Sequence, residues 1–250
     1  MLGGMCLLCD ESTRARVSGQ TRRDFFKMIA GTAGALALAS SGSRLFAAGE
    51  VPKPQNVLAP DEAWARLKKG NQRYVDGVMM RHDFSAEREA LAGGQNPYAG
   101  ILSCADSRIA PEFAFDSGRG DLFVVRVAGN IADREGIASF EYAVKFLGTT
   151  LLVVLGHDKC GAVDAAIKVV KDGANLPGHL PELVAHIAPA VRSALLEPGD
   201  LLANAIHDNV LLNMEKLLAS SSILRDAVSS GQLKLVGGIY KLATGHVEWL

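Results

Sequence analysis

An α/β domain with a central, mostly parallel β-sheet flanked by helices, preceded by an N-terminal helical arm, is the fold that these 250 residues predict. Three observations support it. Short apolar runs rich in β-branched residues recur from residue 98 onward, they lack the strict alternation of a half-exposed strand, and helix-like segments separate them. Strands buried on both faces have this pattern, and strand alternating with helix makes a doubly wound sheet.

The N-terminal stretch "TRRDFFKMIAGTAGALALAS" sets residues 1–48 apart. Arg22 and Arg23 are followed by Phe25, Phe26 and Lys27, then by an Ala- and Gly-rich apolar run from Met28 to Ala39. This is the layout of a twin-arginine export signal, so an exported, periplasmic protein of bacterial type is expected. The apolar run is too short to span a bilayer, which needs about 20 residues. Two cleavage positions remain open, after Ala37-Leu38-Ala39 or after Phe46-Ala47-Ala48.

"GEVPKPQNVLAP" (49–60) then reads as a linker, and residues 61–250 as one domain. Asp61 is a plausible N-cap for the arm helix "EAWARLKKGNQRYVDG", where Trp64, Leu67, Tyr74 and Val75 recur at helical spacing. Such an arm can pack on its own domain or on a partner subunit. Strands are predicted at "YAGILSC" (98–104), "DLFVVRVA" (121–128), "TTLLVVLG" (149–156) and "QLKLVGGIY" (232–240). Helices are predicted at "IASFEYAVKFLG", "AVDAAIKVVKDG", "PELVAHIAPAVRSALL" and "LLANAIHDNVLLNMEKLLASS", and "ATGHVEWL" reads as a closing antiparallel edge strand.

With 48% hydrophobic and 21% charged residues the chain can bury a sizeable core. Without residues 1–48 it carries 20 basic against 24 acidic side chains, a formal charge near −4. An acidic body argues against nucleic acid as a partner.

Four cysteines are present. Cys6 and Cys9 form a C-x-x-C ahead of the export signal, with no second pair nearby, and read as incidental. Cys104 lies at the carboxyl end of the first buried strand, in "CADSR". His157 and Cys160 lie just past the end of the third, in "GHDKCGAV". Ligand sites in open parallel sheets form outside those ends, where the chain order reverses. If the first and third strands are neighbours, the three side chains converge. Two cysteines and a histidine are a catalytic zinc set with one position left over. Bland readings exist for each piece: a core cysteine, a disulfide between Cys104 and Cys160, a surface ion pair of Asp106 and Arg108, a phosphate-cradling turn. None explains why all the pieces sit at strand ends.

With "CADSR", "DLFVVRVAGN", "FEYAVKFLG" and "GHDKCGAV" in place, the sequence resembles the β-class carbonic anhydrases over roughly Asp61 to Trp249. The resemblance implies a zinc enzyme that interconverts carbon dioxide and bicarbonate by attack of metal-held hydroxide, working as a homodimer or tetramer; the short apolar run of the export signal adds the expectation of no membrane partner after export. It implies that Cys104, His157 and Cys160 hold Zn²⁺ and that Asp106 and Arg108 form a catalytic dyad. Asp106 then accepts the hydroxide's proton while Arg108 holds it off the metal; in a closed form Asp106 itself takes the fourth position. An acid-side loss of activity, with Arg108 as the latch, is the expectation.

Departures from the family pattern matter. A Trp found three residues before the first cysteine in one subset is Ile101 here, which favours the open form, although Arg126 and Tyr240 fit the other places of that subset's bicarbonate pocket. Ser117 stands where many members have a substrate-contacting Gln, with Gly118 keeping the loop tight. Phe113, Tyr142 and Val163 are candidate pocket walls or plain core. His82, His179, His186, His207 and His246 are candidate proton shuttles among which the sequence does not choose, and Asp133 and Arg134 read as structural. Two other functions share these residues: hydrolysis of carbon disulfide or carbonyl sulfide on the same scaffold, and a non-catalytic zinc or disulfide protein. Nucleotide binding at "GHDKCGA" lacks the required glycine spacing.

Overall fold

The computed structural model describes residues 57–250. The expected export signal, the C-x-x-C of Cys6 and Cys9, and most of the expected linker lie outside the described residues.

The arm is helix α1 (Pro60–Val75), followed by α2 (Phe84–Leu91). The sheet and its crossovers then run β1 (Ala99–Ser103), α3 (Pro111–Ala114), β2 (Leu122–Arg126), α4 (Arg134–Leu147), β3 (Leu151–His157), α5 (Gly161–Asp172), α6 (Leu180–Ala194), α7 (Leu201–Ser220), α8 (Ser222–Ser229), β4 (Lys234–Tyr240) and β5 (Val247–Trp249). Sheet order is β2-β1-β3-β4-β5, parallel except for the antiparallel edge β5. β1 and β3 are therefore neighbours, as the site argument requires, and the chain order reverses between them.

β1 and β3 are buried along their whole length because helices cover both faces. Alternate residues of each strand enter different cores. Leu102 and Val154 join Ile187, Val191, Ile206 and Val210 beneath α6 and α7. Ile101, Val153 and Leu155 join Leu67 of α1, Phe115 and Tyr240 on the other face. The arm thus packs on its own domain. Asn71 of α1 is buried there, donating to the carbonyls of Ala114 and Gly245 (2.9 and 2.8 Å) and accepting from the Val247 amide (3.0 Å).

The start of α1 corrects the expectation for Asp61. Pro60 is the first helical residue, Ala59 is the N-cap, and Glu62 accepts from the Ala59 amide at 3.0 Å. Proline's missing amide costs nothing there, and Asp61 and Glu62 instead complement the positive end of the helix dipole. Asp133 does cap α4, accepting from the Gly136 amide at 2.7 Å, which bears out its structural reading. α2, α3 and α8 were not foreseen; none is longer than eight residues.

Candidate metal centre

Register brings the centre together before any side chain is considered. Ser103 at the end of β1 pairs with Leu155 of β3, so the next residue, Cys104, falls level with Gly156, one residue before His157 closes β3. Lys159 then adopts a left-handed conformation (φ 54°), and the turn delivers Cys160 to the N-cap of α5. The result is that Cys104 Sγ, Cys160 Sγ and a ring nitrogen of His157 lie within 4.8 Å of one another, all three residues buried. Both cysteines are free thiols.

The imidazole is set up as a ligand. His157 Nδ1 lies 2.8 Å from the Asp158 carbonyl, which can only accept, so Nδ1 carries the proton and Nε2 presents a lone pair. Nε2 is buried with no hydrogen-bond partner among the described residues. A buried, unpartnered nitrogen facing two sulfurs is costly unless a cation takes its lone pair. The residues therefore fit a zinc ion, whose His₁Cys₂ donor set leaves one position open.

The two sulfurs shift each other's protonation in opposite directions. The hydrogen bond from the Cys160 thiol brings the Cys104 pKa down to about 4, helped by His157 and the Gly129 amide and opposed by burial. That same bond, together with burial, pushes Cys160 up. His157 is buried, which disfavours its charged form, yet the negative charge on the neighbouring Cys104 sulfur raises its pKa overall. Only a cation at the centre lets both thiolates persist side by side.

Asp106 and Arg108 sit at the rim. Oδ1 of Asp106 accepts from the backbone amide and Nε of Arg108, both at 2.9 Å, and Oδ2 accepts from the guanidinium at 2.6 Å. These bonds hold the carboxyl well below the usual carboxylate range. Oδ2 is 3.8 Å from His157 Nε2, so the carboxylate borders the metal cluster while Arg108 occupies its oxygens. The guanidinium also donates to the Lys159 carbonyl at 3.3 Å, tying the β1 loop to the turn that carries Cys160.

Other predicted residues have different surroundings. Arg126 donates to the carbonyls of Cys104, Asp106 and Ile109 (3.0, 2.7 and 2.8 Å), bracing the loop that carries the dyad. The Tyr240 hydroxyl meets that of Tyr74 at 3.0 Å. Ser117 hydrogen-bonds the Tyr98 hydroxyl and the Phe115 carbonyl (3.1 and 3.2 Å). Val163 is buried in the same core as the two cysteines, whereas Phe113 is 61% exposed and Tyr142, 40% exposed, packs against Phe123 and Phe146. The five other histidines lie elsewhere: His82 by Glu87, His179 at the start of α6, His186 in a groove with Arg134 and Lys216, His207 by Asp208, and His246 in the β4–β5 turn.

Two contributions escaped the sequence reading. Gly129 donates its amide to Cys104 Sγ at 3.3 Å. It needs to be glycine, because its φ is +76° and a Cβ would fall 2.6 Å from Ile187 Cδ1. The "RVAGN" segment was the available signal. Asp116, beside the Ser117 that drew attention, is fully buried and bound by Arg73.

Comparison with known proteins agrees with this geometry. The carbonic anhydrase family model matches residues 99–247. Carbonic anhydrase 2 of Mycobacterium tuberculosis is 41% identical over 192 residues, spanning 75% of this chain and 91% of that protein. Among solved structures, the β-carbonic anhydrase CcaA superposes with a TM-score of 0.57 at 31% identity, covering 74% of this chain and 94% of that one. Tetrameric β-carbonic anhydrases from Sordaria macrospora superpose with a TM-score of 0.57 at 26% identity, covering 76% and 92%. From the strand-end Cys/His/Cys cluster, the matched family model and these relatives, the chain belongs to the β-class carbonic anhydrase family.

Proposed function

We propose that this carbonic anhydrase catalyses the zinc-dependent reversible hydration of carbon dioxide, CO₂ + H₂O ⇌ HCO₃⁻ + H⁺, with Cys104, His157 and Cys160 as metal ligands. The observation that carries this reading is the buried, unpartnered Nε2 of His157 facing two cysteine sulfurs beside an arginine-held carboxylate. When bound, zinc supplies a Lewis acid that brings the pKa of coordinated water toward neutrality. The protein supplies orientation. Asp106, ionised by its bonds to Arg108, is a hydrogen-bond acceptor at the edge of the cluster and can accept a hydrogen bond from a nucleophilic oxygen there, aligning its lone pair. Arg108 fixes which way that carboxylate faces and keeps it from competing for the metal.

The test is zinc analysis paired with a carbon dioxide hydration assay, run on the wild type and on Cys160→Ser, with carbonyl sulfide and carbon disulfide as alternative substrates. About one zinc per chain and CO₂ hydration lost in Cys160→Ser are expected. Preferred turnover of the sulfur compounds would overturn the substrate assignment.

The same reading extends to assembly and location. The half-exposed edge strand β2, with Phe123 beside the exposed Tyr142 and Phe146, supports a homo-oligomer, and the Sordaria relatives are tetrameric. Sedimentation of the purified chain tests this. Export rests on the Arg22-Arg23 pattern, and cell fractionation of the Arg22→Lys, Arg23→Lys double variant tests it: retention in the cytoplasm is expected.

A further inference from the structure

Between β2 and α4 the chain passes beside the metal ligands, and its path there is fixed by a helix 80 residues further on. Asn209 of α7 is buried and donates Nδ2 to the Gly129 carbonyl at 2.8 Å. One turn later Asn213, also buried, accepts from the Ala132 amide at 2.7 Å. Its Nδ2 donates to the Asn209 carbonyl at 2.7 Å and to Asn209 Oδ1 at 3.2 Å. This last bond decides the orientation of the Asn209 amide. With its oxygen receiving from Asn213, its NH₂ must face Gly129.

The rest of that helix face is apolar, with Ala205, Ile206, Val210 and Leu217 buried alongside. Two amides in such a face cost desolvation and are retained where their bonds are all made. Here the bonds end on a glycine whose own amide reaches a metal-ligand sulfur. We propose that Asn209, oriented by Asn213, is a positioning residue for the metal centre: by holding the Gly129 carbonyl it aims the Gly129 amide at Cys104 Sγ, and so sets how much charge that sulfur gives to a bound metal ion. An N–H directed at a thiolate stabilises the sulfur lone pairs and weakens their donation, and such outer partners also fix ligand orientation. The inference rests on the reading of Cys104, His157 and Cys160 as metal ligands.

The experiment uses the full-length chain loaded with cobalt(II) for spectroscopy and with zinc for competition against a chromophoric chelator. Wild type is compared with Asn209→Leu, Asn213→Leu and Leu217→Ala, the last a cavity in the same helix that leaves the amide chain intact. Asn209→Leu is expected to move the thiolate-to-cobalt charge-transfer band to lower energy, as the sulfur lone pairs lose the Gly129 hydrogen bond, and, because Cys104 loses its fixed orientation and this outweighs the stronger donation, to weaken zinc binding about 10- to 100-fold. Asn213→Leu moves the band in the same direction, and it carries the test should Asn209→Leu not fold. Leu217→Ala lowers thermal stability without moving the band. A wild-type band that both asparagine variants leave in place, or that Leu217→Ala moves equally, would overturn the inference alone. Wild-type protein with no thiolate band would overturn the ligand assignment with it.

Discussion

Asp106 and Asp116 each accept from an arginine, and the two pairs differ in nearly everything else. Arg108 is two residues from its aspartate, 51% exposed, and faces an acid that is 16% exposed. Arg73 comes from α1, 43 residues before Asp116, whose side chain is fully buried and also accepts from the Met80 amide (3.0 and 3.2 Å). The first pair is local and solvent-screened, so it adds little to stability and is free to orient a carboxylate beside the metal cluster. The second closes a long loop and saturates a buried charge, so it fastens the arm and the segment after it to the loop before β2. The same two side-chain types thus orient chemistry at one site and hold the fold together at the other, and burial with chain separation makes the difference.

Four substitutions break or sharpen that contrast. The largest effect is expected for Asp106→Asn, which keeps shape but loses the anionic acceptor: CO₂ hydration falls about 10²- to 10⁴-fold, while the thermal midpoint and zinc content stay near wild type. A large stability loss would place Asp106 with Asp116. Asp116→Ala reverses the pattern. Stranding the Met80 amide and the Arg73 guanidinium costs about 2–3 kcal/mol, measured by denaturant unfolding, and zinc per folded chain is unchanged.

A smaller effect is expected for Arg108→Ala, in which Asp106 loses its clamp but remains present: kcat/KM drops about tenfold with little change in the melting curve. Unchanged kinetics would show that Asp106 is oriented without its partner. The smallest effect concerns Tyr98, bonded to Ser117 next to Asp116. Burial, only partly offset by the Ser117 bond, moves its pKa from 10 up to about 12. The folded state then holds this proton more tightly than the unfolded state, so its contribution is complete below pH 10 and is lost as pH rises through 12. Tyr98→Phe flattens that alkaline decline in thermal stability.

The Cys104, His157 and Cys160 cluster was legible because its motifs lie at the carboxyl ends of buried strands, where polar residues have little other reason to be. The Arg73–Asp116 pair was not. The "FDSGRGD" segment holds two acids and several loop-forming residues, and nothing local shows that one acid is buried against a helix far earlier in the chain. Asp61 was misread as a cap because Pro60 at the first helical position and an acid in the first turn look the same in sequence as a cap followed by its helix. α2 and α8, eight residues each, are too short for helical periodicity to build up. Asn209 and Asn213 looked like ordinary polar positions on a long helix; only their burial against the 129–132 segment reveals a purpose.

Residue order alone was enough to specify which stretches become strands, which residues gather into a candidate metal site and which dyad stands beside them, because apolar periodicity and donor chemistry are written locally. Folding in three dimensions chose the occupant of each hydrogen bond: Arg126 on the Cys104 carbonyl, Gly129 on Cys104, Asn209 on Gly129, and Arg73 on Asp116. Those pairings join residues 22 to 80 positions apart. They form only where strand register and helix packing bring the partners within bonding distance, which no local pattern encodes.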